Sequence, residues 1–181
     1  MHSYTLRRVN ISTYIKILGV LLFAVATGVS ARISVPLPFS PVPLTLQVLV
    51  VILSGFVLGA RGALVSQVLY LQAILLGAPL TAYGLAGPAA FVSPTAGYLV
   101  AFPVAAAVAG WLSHRSESRR PAWRALGGLA GLAVVYGVGV AWLSGYAGGL
   151  RAAWTLGVAP FLGVDLLKLV VATAVLSVRG R

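Results

Sequence analysis

The sequence contains no cysteine, a single methionine and two histidines, and only two of its 181 side chains are acidic. The lack of cysteine excludes a disulfide framework and any thiolate nucleophile or ligand. His2 and His114 lie outside the long apolar runs and far apart in the chain, so no metal site is read. The scarcity of acid is equally restrictive. Glu117 and Asp165 cannot furnish a general acid/base pair of carboxylates or a metal–phosphate centre. No Gly-x-x-x-x-Gly-Lys-Ser/Thr run and no Ser–His arrangement is present, so neither an enzyme nor a resident cofactor is expected. A net charge of +11 would suggest nucleic acid in a soluble domain. Here the basic residues cluster at the ends of apolar runs, where they read as topology signals, and no nucleic-acid partner is expected.

What is abundant is apolar: 60% of the residues are hydrophobic and 8% charged, and mean hydropathy is +1.00. Long apolar runs with basic punctuation describe a multi-pass, all-α protein of the lipid bilayer. We expect a single membrane domain over 1–181 with six spans, at about 15–31, 46–60, 62–76, 94–112, 125–143 and 160–178. Arg7-Arg8, the first run and Ala24-Val25-Ala26 together have the look of a cleavable signal peptide. The run continues past those small residues, however, and a retained first span is the reading adopted. Ala24 and Gly28 form a small-xxx-small pair suited to close helix approach.

Residues 32–44 hold Pro36, Pro38, Pro41 and Pro43, which predicts an extended, polyproline-like connector. Thr45 would cap the second span, which carries Gln47 in its first turn. The third carries Gln67, Tyr70 and Gln72, suited to interhelical hydrogen bonds or to ligand contact. A second long loop, 77–93, is rich in Gly, Ala and Pro, with Tyr83 near its middle. Ser93-Pro94 reads as N-cap and first position of the fourth span, where Thr95, Tyr98 and Phe102 fall on one stripe and Pro103 predicts a kink. The fifth span is studded with glycine and shows no ionisable group, and 144–159 suits an interfacial connector. Six spans place both termini on one side. With them inside, Arg7, Arg8, Lys16, Arg61, Arg115, Arg119, Arg120, Arg124, Arg179 and Arg181 are cytoplasmic, and the proline-rich connector and the 77–93 loop are outside.

The sharpest chemical signal is Asp165 with Lys168, in a segment that otherwise reads as membrane-spanning. Charges in hydrocarbon are expensive and face a cavity, a partner or a substrate. At i and i+3 the two share a helix face, with Phe161 one turn earlier. The bland reading is that they merely neutralise one another. The functional one is a pocket with one cation, one anion, hydroxyls, amides and aromatic walls, suited to a small molecule with an anionic end and a polar end on an apolar body.

Pro41-Val-Pro-Leu-Thr45-Leu-Gln47, Leu58-Gly-Ala with Arg61, Gly77-Ala-Pro79, Ser93-Pro-Thr95-Ala-Gly97-Tyr98-Leu, and Pro160-Phe161 with Asp165-x-x-Lys168 resemble, in that order, the BioY family, the biotin-specific substrate-binding components of energy-coupling-factor transporters. The resemblance spans nearly the whole chain. It implies a six-helix S-component bundle in the cytoplasmic membrane that binds biotin from outside, with a transmembrane coupling subunit and two cytoplasmic ATPases as partners. It also implies that Ala24 and Gly28 face the coupling subunit. Ser93 and Ala96 stand where the family usually has glycine, and Tyr83 replaces a small or amide residue. On this reading the valerate carboxylate of biotin pairs with Lys168, while its ureido ring meets Asp165 and Tyr98 or Gln47. Thr45, Tyr83, Thr95 and Phe161 complete the expected site. A stand-alone ion- or proton-coupled permease for a small anionic vitamin is the alternative, and a solitary homo-oligomer is a further arrangement the sequence leaves open.

Overall fold

The computed structural model describes residues 11–115 and 121–178. Arg7, Arg8, Arg119, Arg120, Arg179 and Arg181 of the expected basic pattern lie outside the described residues. In chain order the elements are α1 (Ile11–Arg32), β1 (Ser34–Leu37), β2 (Ser40–Thr45), α2 (Gln47–Leu75), α3 (Pro88–Phe91), α4 (Ala96–Ser113), α5 (Pro121–Ala147), α6 (Leu150–Gly157) and α7 (Leu162–Val178). Among the described residues four helices are long and apolar enough to cross a membrane, and the α6–α7 pair, bent by 53°, makes a fifth if counted as one span.

The second and third expected spans form one 29-residue element broken at Gly59, whose φ of 72° and ψ of 177° are open to glycine and strained for any other residue. In a continuous helix residues 47 and 70 would lie roughly 34 Å apart. Instead Gln47 Nε2 donates to the Tyr70 hydroxyl at 2.7 Å, and Gln67 Nε2 reaches Ser54 Oγ at 3.4 Å. Residues 47–58 and 60–75 therefore fold back alongside one another. The turn falls at Gly59, two residues before Arg61, where the sequence places the break between the second and third expected spans.

α1 lies along this hairpin, with Gly19 against Leu58, and meets the 77–93 loop where Gly28 packs against Leu80. Gln67 Nε2 also donates to Thr27 Oγ1 at 3.2 Å, tying α1 to the hairpin, as interhelical amides do in hydrocarbon. Gln72, by contrast, is exposed. The hairpin, α4 and α5 close on one another through small residues. A Cβ on Gly55 would come within 2.6 Å of the Ala106 carbonyl, and one on Gly131 within 2.9 Å of the Ala105 carbonyl. In lipid, where apolar burial drives little, such backbone proximity supplies dispersion contacts, which accounts for Gly127 and Gly131 of α5. The core between these helices buries Val51, Ile74, Leu99, Phe102, Leu132, Val135 and Leu143.

Several expectations are corrected. The proline-rich stretch is an antiparallel β-hairpin, pairing Ser34 with Thr45, Val35 with Leu44 and Leu37 with Ser40. The register slips between Val35 and Leu37, around Pro36, which has no N–H to give the ladder. Ser40 Oγ anchors the hairpin to α6 through the Leu156 carbonyl at 2.7 Å. α4 starts at Ala96 rather than at Pro94, with Pro103 inside it. α5 runs from Pro121 to Ala147, longer at both ends than the fifth expected span, and half of the 144–159 connector is the short helix α6.

Candidate functional site

One cavity opens at the end of the bundle where the β-hairpin, the 77–93 loop and the start of α7 meet. Its empty volume is about 690 Å³, open solvent at its mouth included. The hairpin and its exit contribute Val42, Thr45 and Gln47, the loop Thr81 and Tyr83, α4 Tyr98 and Phe102, α5 Tyr136, and the α6–α7 corner Gly157, Phe161, Asp165 and Lys168. The eight residues expected at the site, Asp165, Lys168, Tyr98, Gln47, Thr45, Tyr83, Phe161 and Thr95, all lie on this wall.

Asp165 and Lys168 are both buried, and Lys168 Nζ donates to Asp165 Oδ1 at 2.6 Å. The ammonium also donates to the Thr45 carbonyl at 2.6 Å, closing a contact between residues 123 apart in sequence. The other carboxylate oxygen, Oδ2, accepts the Tyr136 hydroxyl at 2.7 Å. Paired charges with further hydrogen-bond partners are the form in which ions survive burial in a bundle. The pair does neutralise itself, and it does so on the wall of a cavity. A smaller apolar pocket lies on its far side, lined by Val48, Leu132 and Leu169 among others.

The remaining polar groups are held by the backbone or by neighbouring side chains. Tyr98 donates its hydroxyl to the Gly157 carbonyl at 3.0 Å. Tyr70, behind Gln47, donates to the Leu80 carbonyl at 3.1 Å, which ties the start of the loop to the hairpin. Thr45 Oγ1 accepts the Gln47 backbone N–H at 3.2 Å, one residue removed from a capping position. Tyr83 is half exposed at the mouth and Phe161 is buried at the floor. The rim beyond Tyr83 is pinned by α5: Trp142 Nε1 donates to the Ser93 carbonyl and the Tyr146 hydroxyl to the Val92 carbonyl.

Sequence reasoning missed Tyr136. The fifth span reads as free of ionisable groups, yet this phenol is buried against the acid. With seven tyrosines in the chain against two acids, it carried no signal comparable to that of Asp165. Ala24 and Gly28 lie away from the cavity. Gly28 is buried against Leu80 and Ala24 packs on the core, whereas the outward face of α1 carries Leu18, Leu22 and Val25.

Residues 5–180 match the BioY family. The chain belongs to the BioY family. It is 40% identical over 154 residues to the biotin transporter BioY of Thermotoga maritima, covering 85% of this chain and 89% of that one. It is 42% identical over 157 residues to the probable biotin transporter BioY of Pyrococcus horikoshii, covering 87% and 90%. Its fold is that of the S-component for biotin from an ECF-type ABC transporter, with a TM-score of 0.86 at 22% identity over 96% of this chain and 95% of the other. BioY proteins are transporters, and this BioY chain is a multi-pass membrane transporter rather than an enzyme.

Proposed function

We propose that this chain is the biotin-binding S component of an ATP-driven energy-coupling-factor transporter in the cytoplasmic membrane, working with a transmembrane coupling subunit and two ATPases. The observation that carries the reading is the cavity itself. It is apolar along Val42, Leu99, Phe102 and Val135, and it carries one buried cation–anion pair at its floor. Biotin has that complement: an apolar bicycle and chain, a carboxylate at one end and a hydrogen-bonding ureido ring at the other. The names of the relatives in Thermotoga maritima and Pyrococcus horikoshii support the choice of ligand.

In this account the carboxylate docks on Lys168, whose ammonium keeps a donor beyond those given to Asp165 and Thr45. The ureido N–H groups turn to Asp165, Gln47 Oε1 or the Tyr98 oxygen, each of which retains acceptor capacity. Phe161, Thr95, Thr45 and Tyr83 complete the enclosure. The chain forms one membrane domain over 1–181 with six crossings: α1, residues 47–58, residues 60–75, α4, α5 and α7. Both termini are cytoplasmic. In support, Arg61 follows the Gly59 turn, and that turn sits by His114 at the end of α4, next to Arg115. The cavity is at the other end of the bundle, and its mouth faces outward.

The test is biotin binding by purified wild-type and Lys168→Ala protein. Removing one partner of a desolvated charge contact should weaken biotin at least about 30-fold. A folded Lys168→Ala protein with undiminished affinity refutes the assignment.

A further inference from the structure

Asp165 serves two partners at once. Its Oδ1 takes Lys168 at 2.6 Å and its Oδ2 takes the Tyr136 hydroxyl at 2.7 Å. Lys168 passes the connection on to the Thr45 carbonyl, so one hydrogen-bonded chain runs from α5 through α7 to the end of β2 along the cavity wall. Packing alone does not explain Tyr136, since phenylalanine would fill nearly the same volume in an apolar helix without bringing a hydroxyl into the membrane. The hydroxyl is therefore to be understood through what it touches.

An ammonium fully neutralised by its own carboxylate holds a second anion weakly. A donor that takes up part of the carboxylate's charge leaves the ammonium more electropositive toward a newcomer, and a phenol–carboxylate hydrogen bond is of the strong, charge-assisted kind. We infer that Tyr136 is a positioning residue for anion recognition: it turns Asp165 so that one oxygen aligns Lys168 while the charge of the other is drawn away from it. Tyr136 acts through Asp165 and not on the ligand. The inference rests on Lys168 being the seat of the ligand carboxylate, as proposed above.

The experiment compares the affinities of full-length protein in detergent for biotin and for biotin methyl ester, which lacks the anion. Tyr136→Phe should weaken biotin by about tenfold, the worth of one hydrogen bond to a charged group, and leave the ester nearly unchanged. In an Asp165→Asn background the same substitution should change neither ligand further, since the group it acts through is gone. Tyr136→Gln, which returns an N–H donor, should keep the preference for biotin over ester that Tyr136→Phe loses. Equal weakening of both ligands, an unaltered biotin affinity in folded Tyr136→Phe, or a folded Tyr136→Gln protein without the preference would each overturn the inference. Lys168→Ala separates the two levels. If it keeps full biotin affinity, the reading beneath fails; if it loses affinity while Tyr136→Phe does not, only the role of Tyr136 fails.

Discussion

Tyr98 owes its place to two side chains that are missing. Its hydroxyl reaches the Gly157 carbonyl, and its ring occupies the volume that a Cβ on Gly139 would fill. Gly139→Ala should therefore push the ring off its carbonyl partner, costing on the order of 1–3 kcal/mol through overpacking. Thermal unfolding and biotin titration should register the change together, as a lower melting temperature and a weaker affinity. Gly139→Ala protein matching wild type in both would show that the ring can be rehoused at no cost. Tyr98 could be read from sequence because it shares a helical stripe with Thr95 and Phe102, and the Asp165–Lys168 pair because acid is so rare here. Tyr136 carried no such pattern. It stands alone in a glycine-studded run, and its partner Asp165 is 29 residues away, a relation that only the packing of α7 against α5 creates.

At the scale of elements, the turn at Gly59 decides whether residues 47–75 form one rod or two facing helices. A side chain there meets strain of about 1–3 kcal/mol. Gly59→Val should lower the melting temperature while leaving the biotin affinity of the folded fraction nearly unchanged, because the cavity lies at the far end of the hairpin. A large loss of affinity without loss of stability would contradict that separation. The apolar runs and their basic punctuation made most helices readable, since length and hydropathy report directly on hydrocarbon thickness. The β-hairpin escaped for a physical reason. Four prolines argue against pairing, but Pro36 coincides with the register slip and the hairpin has further support from α6 through Ser40 and Leu156. The extension of α5 to Ala147 and the helix α6 were hidden by Gly148 and Gly149, which also permit the corner between them.

For the molecule as a whole, the proposal separates capture from transport. Proteoliposomes carrying this chain alone should bind biotin without accumulating it, and accumulation should begin only with a coupling subunit, the ATPases and ATP. Concentrative uptake by the chain alone, driven by a proton or ion gradient, would make it a permease. The contact between Lys168 and Thr45 has a separate consequence for how the protein is made. It joins the end of β2 to α7, residues 123 apart in sequence, so on the proposed reading both segments must be made and packed before the seat for the anion exists. Until α7 is in place the proposed ligand carboxylate has no ammonium to dock on, and on that reading competence arrives with a single helix.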